Sequence, residues 1–199
     1  MTLDFSTLPY FLELDPPFDR DQFFDNKNFS IDIDTPVTDF VKKNLYDTNI
    51  LNQDFLEYVN DLVGAKMNKV IIWYWGNTDL KIAHIDCNSQ KEIHPFAINW
   101  VLNSQDSQVN FYDKTNEELA YGFGNNGIPG LKTENVTAYI PIDVSEDTPT
   151  IAWNSKDLCL VNTSLPHMIE TNTFRISASI QFDIDVKFET TIERIMHGC

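Results

Sequence analysis

Lys69-Val70-Ile71-Ile72-Trp73-Tyr74-Trp75-Gly76-Asn77-Thr78-Asp79-Leu80-Lys81-Ile82-Ala83-His84-Ile85-Asp86 is the stretch whose reading decides the fold. After Lys69, every residue to Trp75 is β-branched or aromatic, the types that suit a pleated, half-buried surface. Gly76 to Asp79 supplies turn chemistry, and Leu80 to Asp86 resumes as a second strand. The reading is a β-hairpin whose second arm carries His84-x-Asp86. Side chains two apart on a strand share a face, so this arm aims one imidazole and one carboxylate at a common point.

Working outward, Phe96–Leu102 and Val109–Tyr112 read as strands on either side of the polar turn 103–108. Asp157–Asn162 is a short apolar strand, after which Thr163-Ser164-Leu165-Pro166 carries the chain to His167. Phe174–Phe182 alternates, with Arg175, Ser177 and Ser179 on one face and Ile176, Ala178 and Ile180 on the other. No helix of strong periodicity is expected after Val70. Upstream, residues 1–34 form an aromatic, acidic arm interrupted by Pro16-Pro17. Thr35-Pro36 reads as an N-cap followed by proline at the first helical position, which predicts a helix through Lys43. Leu51, Phe55, Leu56, Val59, Leu62 and Val63 fall at helical spacing before a Gly64 stop. These helices are expected on the outside of one sheet. The chain therefore reads as one mainly β (α+β) domain over 1–199, with an arm and helices in 1–68 and a β core in 69–190.

At 199 residues a single domain buries roughly 70% of its unfolded surface without needing disulfides or a structural metal. Lys and Arg number 14 against 30 Asp and Glu, a formal charge of −16. A phosphate backbone would be repelled, so no direct nucleic-acid partner is expected. Cys87, Cys159 and Cys199 make an odd, widely spaced set, which fits neither a disulfide framework nor a zinc ribbon. The N-terminus lacks the charged and apolar regions of a signal peptide, and no apolar run is long enough for a membrane span. A cytoplasmic, reducing location is the expectation, and it would keep iron ferrous.

His84, Asp86 and the distant His167 make a two-histidine, one-carboxylate set. Such a set occupies one face of an octahedral metal and leaves the other positions open, which suits non-haem Fe(II) oxygen chemistry. A polar face on a strand inside a barrel needs a reason, and a buried anion is one. Arg175 can hold a carboxylate through two parallel hydrogen bonds while Ser177 donates a third. The ordered string His84-x-Asp86, His167, then Arg175-x-Ser177 resembles the motif of the Fe(II)/2-oxoglutarate-dependent oxygenase superfamily over roughly 70–182. Compact microbial or phage-type members look closest, with aspartyl/asparaginyl-hydroxylase-like proteins as neighbours.

The resemblance implies a double-stranded β-helix, the jelly-roll shared with cupins, supported by N-terminal helices. It implies Fe(II) on His84, Asp86 and His167, with 2-oxoglutarate and dioxygen as cosubstrates. The far carboxylate of 2-oxoglutarate would rest on Arg175 and Ser177. The implied reaction is hydroxylation of an unactivated C–H bond of a small molecule or a protein or peptide side chain, with release of succinate and CO2. A carboxylate at Asp86 favours hydroxylation over halogenation. Two other readings stand beside it: a cupin-like metalloenzyme that does not use 2-oxoglutarate, and a non-catalytic jelly-roll binding or virion-associated protein.

Three features have two readings each. Asn99, interrupting an apolar run, either faces the cavity towards 2-oxoglutarate or hydrogen-bonds neighbouring backbone. Tyr112 either binds the cosubstrate or packs its ring. The glycine-rich Tyr121–Gly130 segment is either a lid or a plain connection. His94 reads as a surface or loop residue rather than a ligand, and His197 lies close to the C-terminus, outside the triad.

Overall fold

The computed structural model describes residues 5–25, 29–34, 41–76, 83–87, 92–103, 107–113, 138–142, 144, 147–154, 158–183 and 185–198. Among them are eleven strands: β1 (Phe11–Glu13), β2 (Val41–Tyr46), β3 (Met67–Trp75), β4 (Ala83–Cys87), β5 (Ala97–Val101), β6 (Ser107–Phe111), β7 (Ala138–Ile142), β8 (Ile151–Asn154), β9 (Cys159–Val161), β10 (His167–Thr171) and β11 (Arg175–Phe182). Two α-helices accompany them, α1 (Gln53–Val63) and α2 (Phe188–His197). The fold is mainly β, a sandwich of two antiparallel sheets. One sheet has the order β1-β9-β5-β11-β3-β2 and the other β7-β4-β10-β6-β8. Strands β3, β5, β9 and β11 lie in the first, and β4, β6, β8 and β10 in the second.

Each face of the six-stranded sheet has its own job. Ile176, Ala178 and Ile180 of β11, with Val70 and Ile72 of β3, join Phe55, Val59 and Val63 of α1 and Phe188 and Ile192 of α2 in the largest apolar cluster. The opposite face looks at the five-stranded sheet. There Phe11, Cys159 and Val161 from one sheet pack with Val109, Phe111 and Trp153 from the other. β11 sits at the centre and is buried along its whole length.

Helix α1 forms where its apolar spacing places it. The Asn52 side chain caps the Asp54 N–H, and Phe55, Val59 and Val63 are buried. Gly64 then takes a left-handed φ of 75° and donates its N–H to Asn60, the ending that favours glycine. Helix α2 docks beside it, with Arg194 Nε donating to the Asp61 carbonyl at 3.1 Å.

Several sequence expectations need correction. β3 and β4 are not a hairpin, because they lie in different sheets; β3 pairs with β2 and β11, and β4 with β7 and β10. The segment Val41–Lys43 is not helical but extends along β3, where ladder hydrogen bonds outweigh the local proline-led signal. Supporting helices are not confined to the N-terminal part, since α2 follows β11 and buries Phe188, Thr191 and Ile192. Residues 35–40 of the expected helix, the turn 77–79 and the Tyr121–Gly130 segment lie outside the described residues. No helix among the described residues is long and apolar enough to cross a membrane.

Candidate metal centre

Alternation on β4 puts His84 and Asp86 on one face and Ala83, Ile85 and Cys87 on the other, where they are buried in a separate apolar cluster. β10 runs beside β4 with His167 directly opposite His84. The two imidazole centroids are 4.4 Å apart, and His84 Nε2 lies 3.6 Å from Asp86 Oδ1. One ligand atom from each of His84, Asp86 and His167 falls within 4.8 Å of the others, so the three residues form a possible metal-binding triad. His84 and Asp86 side chains are 18% and 20% exposed, while His167 is 5% exposed. The triad is therefore buried on one side and reachable from the other.

Second interactions hold this geometry. His167 Nδ1 lies 2.9 Å from the Leu165 carbonyl; a carbonyl only accepts, so Nδ1 carries the proton and Nε2 presents a lone pair. The Phe111 ring, 6.0 Å from the His167 ring, closes its apolar side. Asp86 is fixed by a closed circuit of three hydrogen bonds. Its N–H donates to the Thr163 carbonyl at 3.1 Å, the Thr163 hydroxyl donates to the His94 carbonyl at 2.9 Å, and the His94 N–H returns to the Asp86 carbonyl at 2.9 Å. The loop before His167 is thus tied to the strand bearing the other two ligands.

Arg175 and Ser177 also face the space between the sheets, since Ile176 and Ala178 between them join the outer cluster. Arg175 is 1% exposed, and its Nε and Nη1 have no hydrogen-bond partner. Burial pushes this guanidinium down to about 10. Trp75 stands opposite Arg175 across the β3–β11 pair, and its indole Nε1 is likewise buried without a partner. A buried cation left unpaired costs several kcal/mol, and these three N–H groups together suit an incoming anion.

Asn99 lies on β5 opposite Ser179. Its Oδ1 is buried and makes no hydrogen bond. Tyr112 is turned away from the triad, packing in the cluster of Ala83, Ile85 and Met168 on the far face of the five-stranded sheet. It is a packing residue. His94 is not a surface residue: it is 7% exposed, and burial lowers its imidazole from the ordinary value. His197 ends α2, exposed.

Three inward-facing residues escaped the sequence reading. Trp75 and Lys69 share a face of β3 with Trp73, and Gln181 continues the Arg175, Ser177, Ser179 alternation by one further step. That continuation was the available signal for Gln181. The other two are placed by pairing register, which no local pattern reveals. No protein-family model and no curated protein matches this chain.

Proposed function

We infer that this protein is an Fe(II)- and 2-oxoglutarate-dependent oxygenase hydroxylating a C–H bond of a small molecule or peptide side chain, with release of succinate and CO2. The observation that carries the reading is the pairing, on facing inner surfaces, of an open His84, Asp86, His167 triad with a buried, partnerless guanidinium at Arg175. The alternation of β3 to β6 and β8 to β11 between the two sheets supports a double-stranded β-helix. The donor set fits Fe(II), with two imidazoles and one carboxylate on one side and the remaining positions free. When bound, the iron supplies oxidation driven by dioxygen and decarboxylation of the keto acid.

The chain's own residues do the rest. His84, Asp86 and His167 hold the metal, and Leu165 keeps His167 in the ligating tautomer. Arg175, with Trp75 and Ser177 beside it, receives the far carboxylate of 2-oxoglutarate and relieves its own desolvation in doing so. The Asn99 amide, with its buried Oδ1 unpaired, would meet the near carboxylate. Phe111, Phe11 and Trp153 keep one wall of the space dry.

Anaerobic titration of the metal-free protein with Fe(II) and then 2-oxoglutarate tests the reading. A weak visible charge-transfer band is expected when the keto acid chelates iron. Iron binding without that band would demote Arg175 and Ser177 to structural residues and favour the cupin-like alternative.

A further inference from the structure

The inner face of β11 has a second end. β10 opens with His167 and β11 opens with Arg175 after the intervening turn, so the C-terminal end of β11 comes level with the triad. At that end stands Gln181, opposite Lys69 on β3. Gln181 is 2% exposed, yet its side-chain Oε1 is buried with no hydrogen-bond partner. Lys69 is half-buried, and burial alone lowers its ammonium from the ordinary value. No carboxylate pairs with it among the described residues. Ala97 on β5 lies opposite Gln181 on its other side, and three residues before it the His94 N–H bonds the Asp86 carbonyl, which brings this end of β11 to the strand that carries the triad. Ser179, one step back on the same face, adds a hydroxyl that is 6% exposed.

The buried Gln181 oxygen lacks a donor, and Lys69, opposite it in the register, brings a half-buried ammonium with no carboxylate partner among the described residues. Together they ask for a ligand with an anion and an N–H donor close to each other. A phosphate or dicarboxylate satisfies Lys69 but leaves Oε1 facing negative charge. A cationic amine satisfies Oε1 but meets Lys69 head-on. An α-amino acid satisfies both and, being a zwitterion, is not repelled by a chain of charge −16.

We propose that Lys69 and Gln181 form the substrate subsite, and that it takes a free α-amino acid, its carboxylate on the Lys69 ammonium and its ammonium on Gln181 Oε1. This rests on the oxygenase reading and names the substrate class of the same site. The side chain of the amino acid then points at the open face of His84, Asp86 and His167, where hydroxylation falls.

The test is thermal denaturation and calorimetric titration of the full chain with each common L-amino acid. Both are run with and without Fe(II) and 2-oxoglutarate under anaerobic conditions. At least one amino acid is expected to raise the melting temperature and bind saturably. Its N-acetyl and methyl-ester derivatives should bind at least about tenfold more weakly, the scale of one lost charge-assisted hydrogen bond. Lys69→Met and Gln181→Leu should each weaken it by a similar factor; Gln181→Leu should fold at least as well as the parent, since it removes a buried unsatisfied oxygen, and Lys69→Met keeps the apolar stem of the side chain. The proposal is overturned if no amino acid binds, if the N-acetyl and methyl-ester derivatives bind as well as the free one, or if both variants bind normally. The charge-transfer band in the parent protein separates the two failures. A band without amino-acid binding sinks this subsite alone, whereas amino-acid binding without a band sinks the 2-oxoglutarate reading.

Discussion

Replacing Arg175 with methionine should leave the ligand-free protein at least as stable as the parent while removing most of its response to 2-oxoglutarate. The reasoning starts from a guanidinium that is 1% exposed with Nε and Nη1 unpaired. Burial pushes it down to about 10. Arginine stays protonated at neutral pH, so the fold carries a desolvated charge at a cost on the order of a few kcal/mol. Methionine keeps much of the apolar stem and adapts to an irregular space, so the substitution recovers part of it. Substitutions of buried ionic groups by apolar ones of similar volume stabilise other proteins by about 1–4 kcal/mol. Urea unfolding in chelator, followed by tryptophan fluorescence, reads the difference as a higher midpoint at unchanged slope. Adding 2-oxoglutarate with metal at about a hundred times its dissociation constant should stabilise the parent by about 2.7 kcal/mol and Arg175→Met by less than about 1 kcal/mol. A ligand-free Arg175→Met protein destabilised by more than about 1 kcal/mol would refute the reasoning, because it would make the guanidinium a structural group already paired in the fold.

Further outcomes follow from other parts of the structure. His167→Ala should abolish iron binding in equilibrium dialysis, whereas Arg175→Ala should keep iron and weaken 2-oxoglutarate by roughly 2–4 kcal/mol; equal iron loss in both would contradict the assigned roles. Thr163→Val breaks the circuit joining Asp86, Thr163 and His94 and should lower metal affinity about 10–100-fold, with Thr163→Ser restoring most of it. Burial lowers His94 from its ordinary 6.5, so the unfolded chain takes up this proton before the folded one. Stability of the chelated protein should therefore fall as pH drops below that value, and His94→Gln should flatten the slope in pH-dependent urea melts. Gly64→Ala forces a side chain onto a φ of 75° with Arg194 Nε 2.9 Å from the new Cβ. It should destabilise by at least about 1 kcal/mol, measured calorimetrically.

Local patterns carried much of this structure. The alternation in 174–182 announces β11 and both of its faces, and the spacing of Phe55, Val59 and Val63 before Gly64 announces α1. His84 and Asp86 are legible because the strand period of two leaves them no other relation; that His167 meets them depends on β10 lying against β4, which the motif order alone suggested. The failures are long-range. Residues 69–86 read as a hairpin because sequence neighbours usually pair, yet β3 and β4 enter different sheets. Helix α2 carried a readable signal in the spacing of Phe188, Thr191, Ile192 and Ile195, overshadowed by the strand pattern before it. The burial of His94 follows from its bonds to Asp86 and Thr163, partners that no local window contains.

The apolar cluster that secures the helices lies behind the six-stranded sheet, and the polar residues that face the other sheet lie in front of it, with single strands contributing alternately to each. Mutational drift at the front positions of β11 and β3 therefore leaves the packing behind them intact. A lineage carrying this scaffold can change what the space between the sheets accepts one alternate residue at a time and stay folded throughout, because inheritance of the fold and inheritance of the specificity are written on interleaved, separable positions.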